Sequence, residues 1–213
     1  MILRIIFAAL TLILLNCTNA EGQKHPQFRY LSLDAGLNMA GVHSGSQFDR
    51  HKKNFGVNIG LSGNYSFCET RSIGASLAFE QKGAVDNVFD INTNLNYLSL
   101  PLYIKWITGR DPRLFFITGA YTAWLINANR RGEYLDGGVP VKVNDNVSAD
   151  FRSLDYGLVL GAGMMVRLYD DFDFTVAVRS SAGLSNIATR SGDKPKNYHF
   201  NISLGYIYYI GFR

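Results

Sequence analysis

From Tyr198 to Arg213 the chain alternates two kinds of side chain. Phe200, Ile202, Leu204, Tyr206, Tyr208, Ile210 and Phe212 are apolar or aromatic. Between them lie His199, Asn201, Ser203, Gly205, Ile207, Tyr209 and Gly211, mostly polar or small. Period-two patterning of this length specifies a β-strand, not a helix with its 3.6-residue stripe. A strand that crosses a bilayer needs roughly 9–11 tilted residues, and this stretch supplies them. An unpaired apolar strand presents an adhesive edge, and in a bilayer every backbone polar group has to be bonded within the protein. Pairing of this strand with the first one, to close a barrel, is the expected solution.

The pattern recurs in residues 28–39, 57–67, 72–82, 97–106, 114–125, 156–168 and 174–180, which makes eight strands in all. In 114–125 it is less clean; Phe115, Ile117, Tyr121, Ala123 and Leu125 share what is taken as the apolar side. No charge falls on the apolar faces, whereas Gly, Ser, Asn and the charged residues occupy the others. A soluble barrel would turn the apolar face inward; a membrane barrel turns it to lipid. Aromatics near strand ends favour the membrane, because two rings of them form interfacial girdles. Tyr65, Phe67, Trp106, Phe115, Phe174, Tyr208 and Phe212 are assigned to one ring, and Phe79, Tyr97, Trp124, Tyr156 and Phe200 to the other. The second ring is less regular, with Tyr97 and Trp124 alternating onto the opposite face. Connections alternate short (68–71, 107–113, 169–173) and long (40–56, 83–96, 126–155, 181–197), as periplasmic turns and outer loops do. The expected fold is therefore all-β, an eight-stranded antiparallel up-and-down transmembrane β-barrel, with both termini on the periplasmic side.

The N-terminus carries Arg4 followed by the apolar run Ile5 to Leu15, the layout of a secretory signal peptide. Cleavage fits after Ala20, giving a signal at 1–20 and a barrel domain at 21–213, or after Gly22. Lipidation at Cys17 is a third reading. Cleavage would leave Cys68 as the only cysteine, expected in a turn without chemistry and without an internal disulfide. Losing Arg4 lowers the formal net charge from +4 to +3, too little to argue for nucleic acid.

Four stretches resemble the PorT-like outer-membrane β-barrel family. Tyr97-Leu98-Ser99-Leu100-Pro101-Leu102-Tyr103-Ile104-Lys105-Trp106 is similar to its YLxIPLxxKY strand. Phe79 to Gly83 resembles the end of its third strand, Asp155 to Gly163 its glycine-rich sixth, and Arg179 with Gly183 to Ile187 its seventh strand and exit. The resemblance implies an eight-stranded outer-membrane barrel of a Gram-negative bacterium and brings no catalytic residues. Members often end on an aromatic residue; here Phe212 is followed by Arg213.

Candidate chemistry lies in the lumen and the loops. Asp34, Glu80, Lys82 and Arg179 fall on polar faces, and a guanidinium in a narrow interior is costly unless paired. Arg179 is expected to pair with Asp34 or Glu80, with Gly161 and Gly163 leaving room for it. Tyr30, Tyr103 and Tyr209 are expected to fill the remaining space. Arg50, Lys52, Lys53, Arg190, Lys194 and Lys196 are candidates for contact with outer-leaflet lipid phosphates. His43, His51 and Asp49 match no metal motif. His199 with Ser185 or Asp193 lacks a hydrolase signature, so no enzyme, metal or cofactor is expected. Loop 126–155 is the candidate protein-binding element. The protein is read as a monomer in outer-membrane lipid, structural or interacting in role. A secretion or transport accessory, or a loop-based adhesin, is the alternative.

Overall fold

The computed structural model describes residues 29–43, 51–68, 70–86, 91–136, 139–189 and 195–210. Its strands are β1 (Arg29–His43), β2 (His51–Cys68), β3 (Arg71–Asp86), β4 (Asn92–Thr108), β5 (Arg113–Asp136), β6 (Val139–Asn146), β7 (Leu154–Tyr169), β8 (Phe172–Gly183) and β9 (Lys196–Ile210). Neighbours run β4-β3-β2-β1-β9-β8-β7-β5, and β4 also pairs with β5, so eight antiparallel strands close into a barrel. β6 pairs with the outer part of β5 and stands outside the wall. The first and last strands pair from Arg29↔Ile210 to His43↔Lys196. No helix among the described residues is long and apolar enough to cross a membrane; the crossing is made by strands.

Register fixes the geometry of the wall. The partners Leu31, Gly63, Ala75, Leu102, Ala120, Leu158, Ala182 and Tyr198 lead round the barrel to Gly41, ten residues beyond the start. Eight strands with a shear of ten residues tilt by about 40°, within the usual barrel range. At that size the interior is wide enough for side chains and little else.

The facing inferred from the alternation holds on seven of the eight strands. Leu31, Leu33, Leu37, Ile59, Leu61, Leu77, Leu102, Leu158, Leu160, Ile202 and Leu204 point outward and exposed, while Asn38, Asn58, Ser62, Ser76, Ser181, Asn201 and Ser203 are buried inside. An exposed apolar band over a buried polar interior inverts the soluble pattern and fits a protein whose solvent is hydrocarbon.

β5 faces the other way from the sequence assignment. Phe115, Ile117, Tyr121 and Ala123 point into the lumen, and Leu114, Phe116, Trp124 and Ile126 are its exposed face. Phe115 therefore leaves the girdle, Tyr97 is wholly buried, and Trp124 turns outward to the membrane side. The cause lies on the neighbouring strand. Phe115, Ile117 and Tyr121 are the cross-strand partners of Gly163, Gly161 and Gly157 on β7. The bulky lumen side chains of β5 lie over those glycines, so Gly161 and Gly163 accommodate Ile117 and Phe115, not the Arg179 guanidinium. A Cβ on Gly163 would come within 2.5 Å of Phe115 Cζ and of the Val176 carbonyl oxygen. Gly163→Val should thus destabilise the barrel by about 1–3 kcal/mol through overpacking, measured by urea unfolding in detergent micelles. Gly63 faces outward, and a Cβ there would meet only Leu31 Cδ2 at 3.9 Å. Gly63→Ala should change stability by no more than about 0.5 kcal/mol.

The outer connections are shorter than expected, because strand pairing continues past the apolar band. Ladder hydrogen bonds need no apolar face, so β3 runs to Asp86, β4 starts at Asn92, and most of 126–155 is a hairpin. At the opposite end the turns are tight, and Gly109 with φ +84° supplies the left-handed residue of the β4–β5 turn. Cys68, expected in a turn, is the buried last residue of β2. The signal segment, Phe212 and Arg213 lie outside the described residues.

Candidate functional site: the filled lumen and the outer hairpin

Period-two alternation delivers one inward side chain from every second residue of eight strands, and these meet in three tiers. At the periplasmic end Arg113 pairs with Asp173 and donates to the Tyr209 hydroxyl at 2.5 Å; Tyr209 donates to Asp173 at 2.7 Å. Tyr30 bonds Ser72 at 3.2 Å, and Tyr103 donates to Asn64 at 3.0 Å. The Lys105 ammonium lies 4.8 Å from the Phe115 ring centre and 5.1 Å from that of Tyr30, within cation–π range.

In the middle tier Arg179 donates to Asp34 Oδ1 at 3.1 Å. Above it Asn201 donates to Asn38 at 2.9 Å and to Asn58 at 2.6 Å, tying β9 to β1 and β2 across the interior. Two small voids of about 10 and 30 Å³ flank Arg179, each room for about one water at most.

The outer tier centres on Lys82, whose ammonium is 3.1 Å from Glu80 and 3.7 Å from Asp155. It also sits 4.6 Å from the Tyr121 ring centre and 5.0 Å from that of Tyr97. Asp155 accepts from Ser185 at 2.6 Å, Asn197 at 3.0 Å and Tyr121 at 3.3 Å. His199 Nε2 lies 3.7 Å from Glu80. Leu95, Tyr97, Tyr121, Ala123, Ala128, Val147 and Ile187 form an apolar cluster over this tier. Arg152 N–H to the Ile187 carbonyl (2.8 Å) and Thr189 N–H to the Asp150 carbonyl (2.9 Å) join the segments that close the mouth.

Among the described residues, the charged groups between the two mouths are Lys82, Lys105, Arg113 and Arg179 against Asp34, Glu80, Asp155 and Asp173. Their formal charges cancel. In a low-dielectric interior such a network is tolerable only when its members are paired.

Residues 22–189 match the family described as outer membrane protein beta-barrel domain. The chain belongs to that family. Its place is accordingly the outer membrane, and the outward apolar band is its lipid face. No curated protein matches the sequence. The fold is similar to two crystal structures. One is neisserial surface protein A (TM-score 0.51, 13% identity, covering 84% of this chain and 96% of that one). The other is OprG from Pseudomonas aeruginosa (TM-score 0.51, 14% identity, 89% and 98% covered).

Within this outer-membrane barrel, Asp34, Glu80, Lys82 and Arg179 all lie inside the lumen, Arg179 on Asp34 and Lys82 on Glu80. Ser185 bonds Asp155, whereas His199 faces Glu80, so the considered Ser185–His199 pairing is not formed. Asp155, Asp173, Lys105 and Arg113 were missed in the sequence, the acids because they sit at strand ends that read as loop. Lys53 and Lys196 are exposed at the outer ends of β2 and β9. Arg50, Arg190 and Lys194, and the side chain of Lys52, lie outside the described residues, as do Asp49, Asp193 and the side chains of His43 and His51.

Loop 126–155 is built from the continuation of β5, the strand β6 and a 3-10 turn at Ser148–Asp150. The hairpin pairs Asn129↔Asn146 through Asp136↔Val139. Val147 N–H to the Ala128 carbonyl (2.9 Å) and Ala128 N–H to Ser148 Oγ (2.8 Å) fix its base to the barrel. Val139, Lys142 and Glu133 are exposed on it.

Proposed function

We propose that this protein is a non-conducting, non-catalytic outer-membrane barrel that presents its β5–β6 hairpin to a binding partner outside the cell. The observation that carries this reading is the contrast between the two parts. The lumen is filled by paired charges and rings, whereas a 24-residue strand continues beyond the wall into a hairpin tied at its base by two hydrogen bonds. Pre-ordering a projecting element lowers the entropy lost on binding. The chain is exported by its signal at 1–20, stands as a monomer, and is a PorT-like member on the motifs Tyr97–Trp106 and Asp155–Gly163. Lys53 and Lys196, with Arg50, Lys52, Arg190 and Lys194, contact phosphates of the outer leaflet.

A photo-crosslinker at Lys142 or at Arg110, in the opposite turn, tests the reading in intact outer membranes. Adducts should form at Lys142 and disappear when its cross-strand partner Glu133 and the exposed Val139 are both replaced by serine, with the crosslinker kept at Lys142 and the barrel still folded. Adducts at Arg110 alone would overturn it in favour of a secretion accessory working from the periplasm.

A further inference from the structure

The lipid-facing wall is not uniformly convex. A depression of about 820 Å³ crosses β1 to β5 in its periplasmic part, lined by Leu31, Gly63, Tyr65, Ile73, Ala75 and Leu102 among others. Register explains its form. Leu31, Gly63, Ala75 and Leu102 are successive cross-strand partners, so two leucines flank a floor of two of the smallest residues. The next row toward the periplasm is the pair Tyr65↔Ile73, and Tyr65 is the partner of Arg29. The Arg29 guanidinium carbon lies 5.9 Å from the centre of the Tyr65 ring, and both line the depression.

Gly63 differs from the lumen glycines. A Cβ on Gly74 would meet Asn64 at 2.5 Å, one on Gly163 Phe115, and one on Gly157 Tyr121 at 2.8 Å; on Gly63 it would meet nothing nearer than 3.9 Å. No atom of the protein excludes a side chain there. The space opens onto the hydrocarbon, and its periplasmic end carries a cation stacked on an aromatic ring.

We propose that this groove is a binding site for one anionic phospholipid of the inner leaflet, with an acyl chain along the Gly63–Ala75 floor and the phosphate on Arg29. Acyl methylene groups match an apolar floor in shape and polarity. A guanidinium held at the interface binds phosphate with charge-assisted, bidentate geometry. A second copy of the chain fits less well. An isologous contact about an axis along the membrane normal would bring two Arg29 guanidinia to the same level of one seam, and like charges there repel.

The test is native mass spectrometry of the mature full-length barrel, released from mixed micelles containing equal phosphatidylglycerol and phosphatidylethanolamine. Heat-modifiable gel migration confirms the fold of each form. The wild type should retain a single phosphatidylglycerol. Gly63→Leu with Ala75→Leu, which fills the groove with apolar side chains, should fold and emerge without lipid. Arg29→Gln should retain lipid but lose preference for the anionic headgroup by about tenfold, the value of one charged hydrogen-bond contact. Three results would overturn the proposal: a wild type with no lipid or several lipids of both headgroups, a filled variant that keeps its lipid, or a dimer that the filled variant dissolves.

Discussion

Asp34→Ala should destabilise the barrel by about 3–5 kcal/mol, the cost of leaving a buried charge without its partner. The Arg179 side chain is 19% exposed and that of Asp34 6%, so water replaces the carboxylate only in part. Repulsion adds to the loss, because Lys105 and Arg179 line the same small void with Asp34. Asp34→Leu with Arg179→Met removes both charges and should recover most of the stability, since an apolar pair of similar volume often matches a buried ion pair. Urea titration in a detergent that permits reversible folding reads both variants. If Asp34→Ala unfolds at the wild-type midpoint, Arg179 is held by something other than this pair.

Leu160→Lys should cost about 2–4 kcal/mol, the range for a lysine at the bilayer midplane. Leu160 is 59% exposed and lies well within β7 (Leu154–Tyr169). Leu168, 47% exposed and next to the end of the same strand, faces the same side. Leu168→Lys should cost only about 0–1 kcal/mol, because a charge near the interface stays hydrated. Folding yield into lipid vesicles, compared at the two positions, measures the depth of the band. Equal losses at both would mean that the exposed apolar face is not a membrane face.

The strands and their number were legible because the bilayer enforces alternation. One face must be apolar, and β1, β2, β3, β4, β7, β8 and β9 carry that rule with few exceptions. β5 was misread for a physical reason. Leu114, Phe116, Trp124 and Ile126 on one face and Phe115, Ile117 and Tyr121 on the other are all large and apolar, so β5's own pattern cannot orient it. The deciding facts lie on β7, where Gly157, Gly161 and Gly163 fall opposite the inward rings. That pairing is a matter of register, which a single strand does not record. Outside the bilayer the alternation rule lapses, so the sequence carries no strand signal in the outer hairpin although its backbone ladder continues.

The lumen was partly legible for a related reason. A lone arginine on an inward face needs an acid at similar height, which limited Arg179 to Asp34 or Glu80, and Asp34 is the partner formed. Asp155 gave no such signal. It stands at the start of β7, and its bonds to Ser185 and Asn197 depend on segments far apart in the chain meeting at the mouth. Lys105 was hidden by its surroundings, since the rings of Tyr30, Tyr103 and Phe115 come from three other positions of the wall.

Single-barrel recordings in planar bilayers test the central claim, a closed lumen, most directly. Purified wild-type protein, inserted and shown folded by its heat-modifiable migration, should give no stable steps in conductance. The paired tiers at Arg113–Asp173, Arg179–Asp34 and Lys82–Glu80 block the axis at three heights. Steady stepwise conductance in the wild type, reduced by bulkier substitutions at Ser203 or Ser62 on the lumen face, would contradict the account and make this barrel a pore.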